Sequence, residues 1–129
     1  MPFIKLKTNC AVPAATADTI QKHLGLAITA IPGKTADWLM VEVEDNCQLF
    51  FRGTDEPAAI AEVSLYGNAS ANALETLTSH ITGILLNTLK IPTDRVYVSY
   101  AMTKDTCQAS CQHTRKQNRE TEWLGFSGI

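Results

Sequence analysis

Few residues of this chain combine a reactive group with a position that would let it act. The first is Pro2, directly behind Met1. Inside a chain, proline carries an amide nitrogen with no proton and no basic lone pair. Once Met1 is removed, the same atom becomes a secondary amine held in a fixed direction by its ring, and when uncharged it is a base. An α-amino group ordinarily titrates at about 7.7–8.0, and burial beside apolar neighbours such as Phe3 and Trp38 disfavours the cation and lowers that value. Near neutral pH such a nitrogen can take a proton and return it. The other candidates are weaker alone. Lys34 follows Gly33 at the end of an apolar run, where a lysine commonly answers helix C-terminal carbonyls. Trp38 and Tyr97 read as strand residues with packing roles. His23, His80 and His113 join no constellation.

The four cysteines, Cys10, Cys47, Cys107 and Cys111, are too few and too unevenly spaced for a secreted disulfide scaffold and are expected to be free thiols. Cys107 and Cys111 with His113 lack the tight spacing and further ligand of a metal site, so no metal and no organic cofactor is expected. A net charge of −2 and a pI near 5.9 give no broad basic field, which argues against nucleic acid as a partner. No run of 18 apolar residues and no leader-like N-terminus is present, so neither a membrane span nor a signal peptide is expected and the protein is placed in the cytoplasm, or outside the cell only by a leaderless route.

The elements that must position these residues repeat. FIKLKT alternates Ile4 and Leu6 against Lys5 and Lys7, a strand with one wet face. From Thr16, read as an N-cap, Ile20, Leu24, Ala27, Ile28 and Ile31 recur at helical spacing until Pro32-Gly33. A strand from Trp38 to Glu44 follows, with Leu39, Val41 and Val43 on one side. The order then recurs. Ala58 to Tyr66 is a strand, Gly67-Asn68 a turn, and Asn72 with Glu75 a capping box opening a helix. That helix carries Leu74, Leu77, Ile81, Ile84, Leu85 and Leu89, and Arg95 to Tyr100 is the last strand. Ile31-Pro32 and Ile91-Pro92 stand 60 residues apart at equivalent places.

A duplicated β-α-β unit predicts an α/β (α+β) domain whose four-stranded sheet has both helices on one face. The opposite face would be bare, which favours association. The whole chain, 1–129, is expected to be one domain. Residues 103–121 are polar and read as a loop insertion before the apolar tail WLGFSGI.

The sequence resembles the macrophage migration inhibitory factor and D-dopachrome tautomerase family over roughly residues 2 to 101. Four segments carry the likeness: the opening MPFIKLKTN, Gly33-Lys34 after the first helix, GTDEPAAIAEVSLYG with its Glu56-Pro57, and IPTDRVYVSY with Asp94 to Tyr97. The resemblance implies a homotrimer with sites at subunit interfaces and keto-enol tautomerase activity on phenylpyruvate-like or dopachrome-like acids. It implies Pro2 as the catalytic base, Lys34 as the substrate-carboxylate lysine, and Tyr97 as a pocket tyrosine from the neighbouring subunit. Trp38 falls where the family has a pocket aromatic, Tyr66 where it has an isoleucine, and Ser99 where an asparagine is usual. Phe126 and Trp38 could stack on an aromatic substrate ring. Where vertebrate members carry Cys-x-x-Cys this chain reads Ala58-Ala59-Ile60-Ala61, so a thiol-oxidoreductase activity has no residues here. Two alternatives stand beside the tautomerase: a hydratase or dehalogenase of the same superfamily, with Arg52 and Glu62 as its only candidates for extra groups, and a cytokine-like protein that engages a receptor if secreted.

Overall fold

The computed structural model describes residues 2–103; the 103–121 loop, Cys107, Cys111, His113 and the tail with Phe126 lie outside them, apart from the backbone of Thr103. The elements run β1 (Phe3–Thr8), α1 (Ala14–Ala27), β2 (Met40–Glu44), β3 (Ala59–Tyr66), α2 (Ala71–Leu89) and β4 (Val96–Thr103). The strands form one sheet in the order β2-β1-β3-β4. Within each repeat the two strands are parallel, β1 with β2 and β3 with β4, and the repeats meet antiparallel between β1 and β3.

Alternation along the strands sets what is buried. Ile4 and Leu6 of β1 and Ala59, Ala61, Val63 and Leu65 of β3 point into one core with Ile20 and Leu24 of α1 and Leu77, Ile81 and Leu85 of α2. Both helices therefore lie on one face, as the periodicity predicts. The other face carries Lys5, Lys7, Glu42, Glu44, Glu62, Tyr97 and Ser99, uncovered by any of the described residues. Lys5 and Lys7 reach Glu44 at 3.8 and 4.0 Å, exposed pairs worth little to stability.

Helix starts differ from expectation. Pro13, not Thr16, caps α1 with extended backbone and no side-chain bond, and Ala17 N–H donates to the Pro13 carbonyl at 2.9 Å. Proline presets the extended φ needed there, so the helix opens earlier than its first polar hydroxyl suggests. At α2 the cap is Ser70, whose Oγ accepts from Ala73 N–H at 3.1 Å; Asn72 lies inside the helix, so no box with Glu75 forms. The expected first helix ends its α-helical part at Ala27 and tightens into a 3-10 turn over Ile28–Ala30. The second strand begins at Met40 because Ala36–Trp38 is another such turn. β3 begins at Ala59 rather than Ala58. β4 runs on to Thr103, while Arg95, expected in the strand, closes a 3-10 turn before it.

Candidate active site

Pro2 is buried at the head of β1, and its carbonyl accepts from Met40 N–H at 3.1 Å, which ties it to the start of β2. β1 pairs antiparallel with β3 so that Phe3 lies opposite Ser64. The far end of β3, with Tyr66, therefore comes to the Pro2 end of the sheet.

Lys34 is delivered to the same end by backbone geometry. Gly33 takes φ +84°, a conformation that disfavours a Cβ, and Lys34 N–H closes the turn on the Ile31 carbonyl at 3.0 Å. The Lys34 Nζ then donates to the Tyr66 carbonyl at 2.9 Å and lies 5.9 Å from the Tyr66 ring centre. Among the described residues no carboxylate lies within ion-pair distance of it. Trp38, 57 % exposed, sits in the turn between Lys34 and β2. Pro2, Lys34, Trp38 and Tyr66 thus share one end of the molecule.

Tyr97 and Ser99 do not join them within one chain. Tyr97 pairs with Ile60 and through it with Lys7, so it stands five β1 residues from Pro2, about 16 Å along the strand direction. Ser99 pairs with Glu62, opposite Lys5, and occupies the middle of the bare face. Tyr97 is 62 % exposed and packs edge-on against Phe51, with ring centres 5.2 Å apart. The guanidiniums of Arg52 and Arg95 lie 5.1 and 5.3 Å from the same Phe51 ring. A cleft of about 150 Å³ opens here between Phe50, Phe51, Ile60, Arg95 and Tyr97. Arg52 pairs with Asp94 at 3.5 Å, and Glu62 faces out from mid-sheet, so neither candidate for water activation stands beside Pro2 in the single chain.

Two residues that sequence reasoning passed over hold the loop behind this second cluster. Arg95, 8 % exposed, donates from Nε to the Pro57 carbonyl at 2.9 Å and from Nη2 to the Glu56 and Thr54 carbonyls at 3.0 and 3.4 Å. Asn9 Nδ2 reaches the carbonyls of Leu49, Asp55 and Glu56 at 3.1, 3.2 and 2.9 Å, and its Oδ1 accepts from Ala58 N–H at 3.0 Å. The joint presence of Glu56-Pro57 and Asp94-Arg95 in the sequence was the available signal: one motif supplies the guanidinium and the other the carbonyls. Cys10 and Cys47 are free thiols near the same junction.

A family model described as macrophage migration inhibitory factor matches residues 1–111. The macrophage migration inhibitory factor of Mus musculus is 28 % identical over 101 residues, covering 78 % of this chain and 86 % of that protein. That of Meriones unguiculatus is 26 % identical over 103 residues, with the same coverage, 78 % and 86 %. Among solved structures, a macrophage migration inhibitory factor of Leishmania major superposes with a TM-score of 0.80 at 24 % identity, covering 84 % of this chain and 94 % of that one. The factor from Trichinella spiralis gives 0.70 at 20 % identity over 83 % and 96 %. Both share the four-stranded sheet with two helices.

Proposed function

The chain belongs to the macrophage migration inhibitory factor family, and from that premise we propose that it is a keto-enol tautomerase acting on a small aromatic α-keto acid of the phenylpyruvate or dopachrome type. The family lies within the tautomerase superfamily, whose tautomerases are isomerases. The observation that carries the reading is the placement of a buried Pro2 and an ammonium free of any described carboxylate partner, Lys34, at one end of the sheet.

With Met1 removed, the Pro2 nitrogen takes a proton from the carbon alpha to the substrate carbonyl. The Pro2 ammonium so formed gives that proton to the enolate oxygen, which restores the free amine, and the reverse sequence returns a proton from the enol to carbon. Lys34 holds the carboxylate as a compact positive charge, and Trp38 offers an aromatic face to the substrate ring. Tyr97 completes the pocket only from a neighbouring copy, since in its own chain it stands at the opposite end of the sheet; a homotrimer with sites between subunits meets that requirement. Ser99 is proposed as a hydroxyl donor on the same terms.

The test joins mass spectrometry for loss of Met1 to a keto-enol assay on phenylpyruvate. Processed wild type should turn over and Pro2→Gly should lose nearly all activity; full activity in Pro2→Gly would reject the base. A cytokine-like role is the second reading, carried by the relatives' names. It predicts a receptor-binding signal that survives Pro2→Gly.

A further inference from the structure

We propose that Tyr66 is a positioning residue whose ring fixes the Lys34 ammonium and thereby sets the preference of this site for substrates bearing a carboxylate. The bond from Lys34 Nζ to the Tyr66 carbonyl, 2.9 Å, uses main chain and would form with any residue at position 66. The ring does not. Its centre lies 5.9 Å from Nζ, inside the roughly 6 Å over which an aromatic face attracts an ammonium. One proton of the ammonium goes to the carbonyl and one side faces the ring, which leaves the remaining donors for an incoming anion. A lysine stem is flexible, and a ring that holds its charged end in place lowers the ordering cost when substrate arrives. With no carboxylate of the described residues near Lys34, carbonyl and ring are its fixed partners. Tyr66 is 45 % exposed at the end of β3, so it is open to substitution without loss of core.

The inference rests on the tautomerase reading for the identity of the acid, and its test uses binding as well as turnover so that the two can fail separately. The probe is 3-phenylpropanoate, a carboxylate with no ketone to enolise, titrated by NMR into wild type, Tyr66→Phe and Tyr66→Leu. Each is also measured in a Lys34→Ala background, with kcat and KM on phenylpyruvate alongside. Tyr66→Phe should bind as wild type does. Tyr66→Leu should weaken Kd and raise KM two- to five-fold, roughly what an exposed cation–π contact supplies, with kcat little changed. In Lys34→Ala the Tyr66→Leu effect should vanish. An unchanged or tighter Kd in Tyr66→Leu, an equal loss in the Lys34→Ala background, or no binding by wild type would overturn the proposal. Binding that follows this pattern without any turnover would uphold it and reject the tautomerase reading.

Discussion

Lys34 and Arg95 are two cations put to opposite uses. Arg95 is enclosed and spends its donors on three carbonyls of its own chain, whereas Lys34 gives one to the Tyr66 carbonyl and pairs with no carboxylate of the described residues. Removing Lys34 should therefore act on substrate. Lys34→Ala is expected to raise KM for phenylpyruvate about ten-fold or more, as loss of a charge-assisted contact does, while the melting temperature barely moves. Arg95 should show the reverse. Arg95→Ala leaves the Pro57 carbonyl without its described donor and takes one of two from the Thr54 and Glu56 carbonyls, and is expected to destabilise the fold by on the order of 3 kcal/mol in urea unfolding. Sequence alone could rank neither: a buried and an exposed cation look alike until their partners are known. Pro2 and Lys34 stood out as candidates chiefly through the family likeness of their surroundings, and the fold brings the two to one end of the sheet. Asn9 gave no signal, because its carbonyl partners come from a loop 40 to 47 positions away.

At the scale of elements, alternation in β1 and β3 and the apolar stripes of α1 and α2 foretold the layers, since burial enforces those periods. Caps were less legible. Asn68, Ser70 and Asn72 are all short polar residues able to cap α2, and the choice falls on Ser70 because its backbone is the extended one, at φ −72° and ψ 158°. Ser70→Ala should accordingly cost about 1 kcal/mol and Asn72→Ala much less, by thermal or chemical unfolding. The link between β4 and α2 adds a pH term. Tyr100 hydroxyl lies 2.7 Å from Thr78 Oγ1 and donates to the Leu74 carbonyl at 3.0 Å. Burial raises its pKa above the ordinary 10.0, and the bond to Thr78 opposes that in part. Because the folded state favours the protonated phenol, its contribution is fully present below pH 10 and is lost as pH rises through the raised folded value. Melts between pH 8 and 11 should show an alkaline decline that Tyr100→Phe diminishes.

For the whole molecule, the sheet face left bare by the described residues favours assembly, as the duplicated unit already implied, whereas the distance between Pro2 and Tyr97 could not be read from sequence, which specifies pairing patterns but not which end of a sheet a strand residue reaches. Light scattering of the full chain is expected to give three times the monomer mass; a stable monomer at micromolar concentration would leave Tyr97 outside any site. The most direct test of the account is turnover of phenylpyruvate by preparations that differ only in the fraction of chains retaining Met1, as read by intact mass. Activity should scale with the processed fraction and vanish for the Met1-bearing chain, whose Pro2 nitrogen is an amide. Equal activity in the Met1-bearing protein would contradict Pro2 as the base.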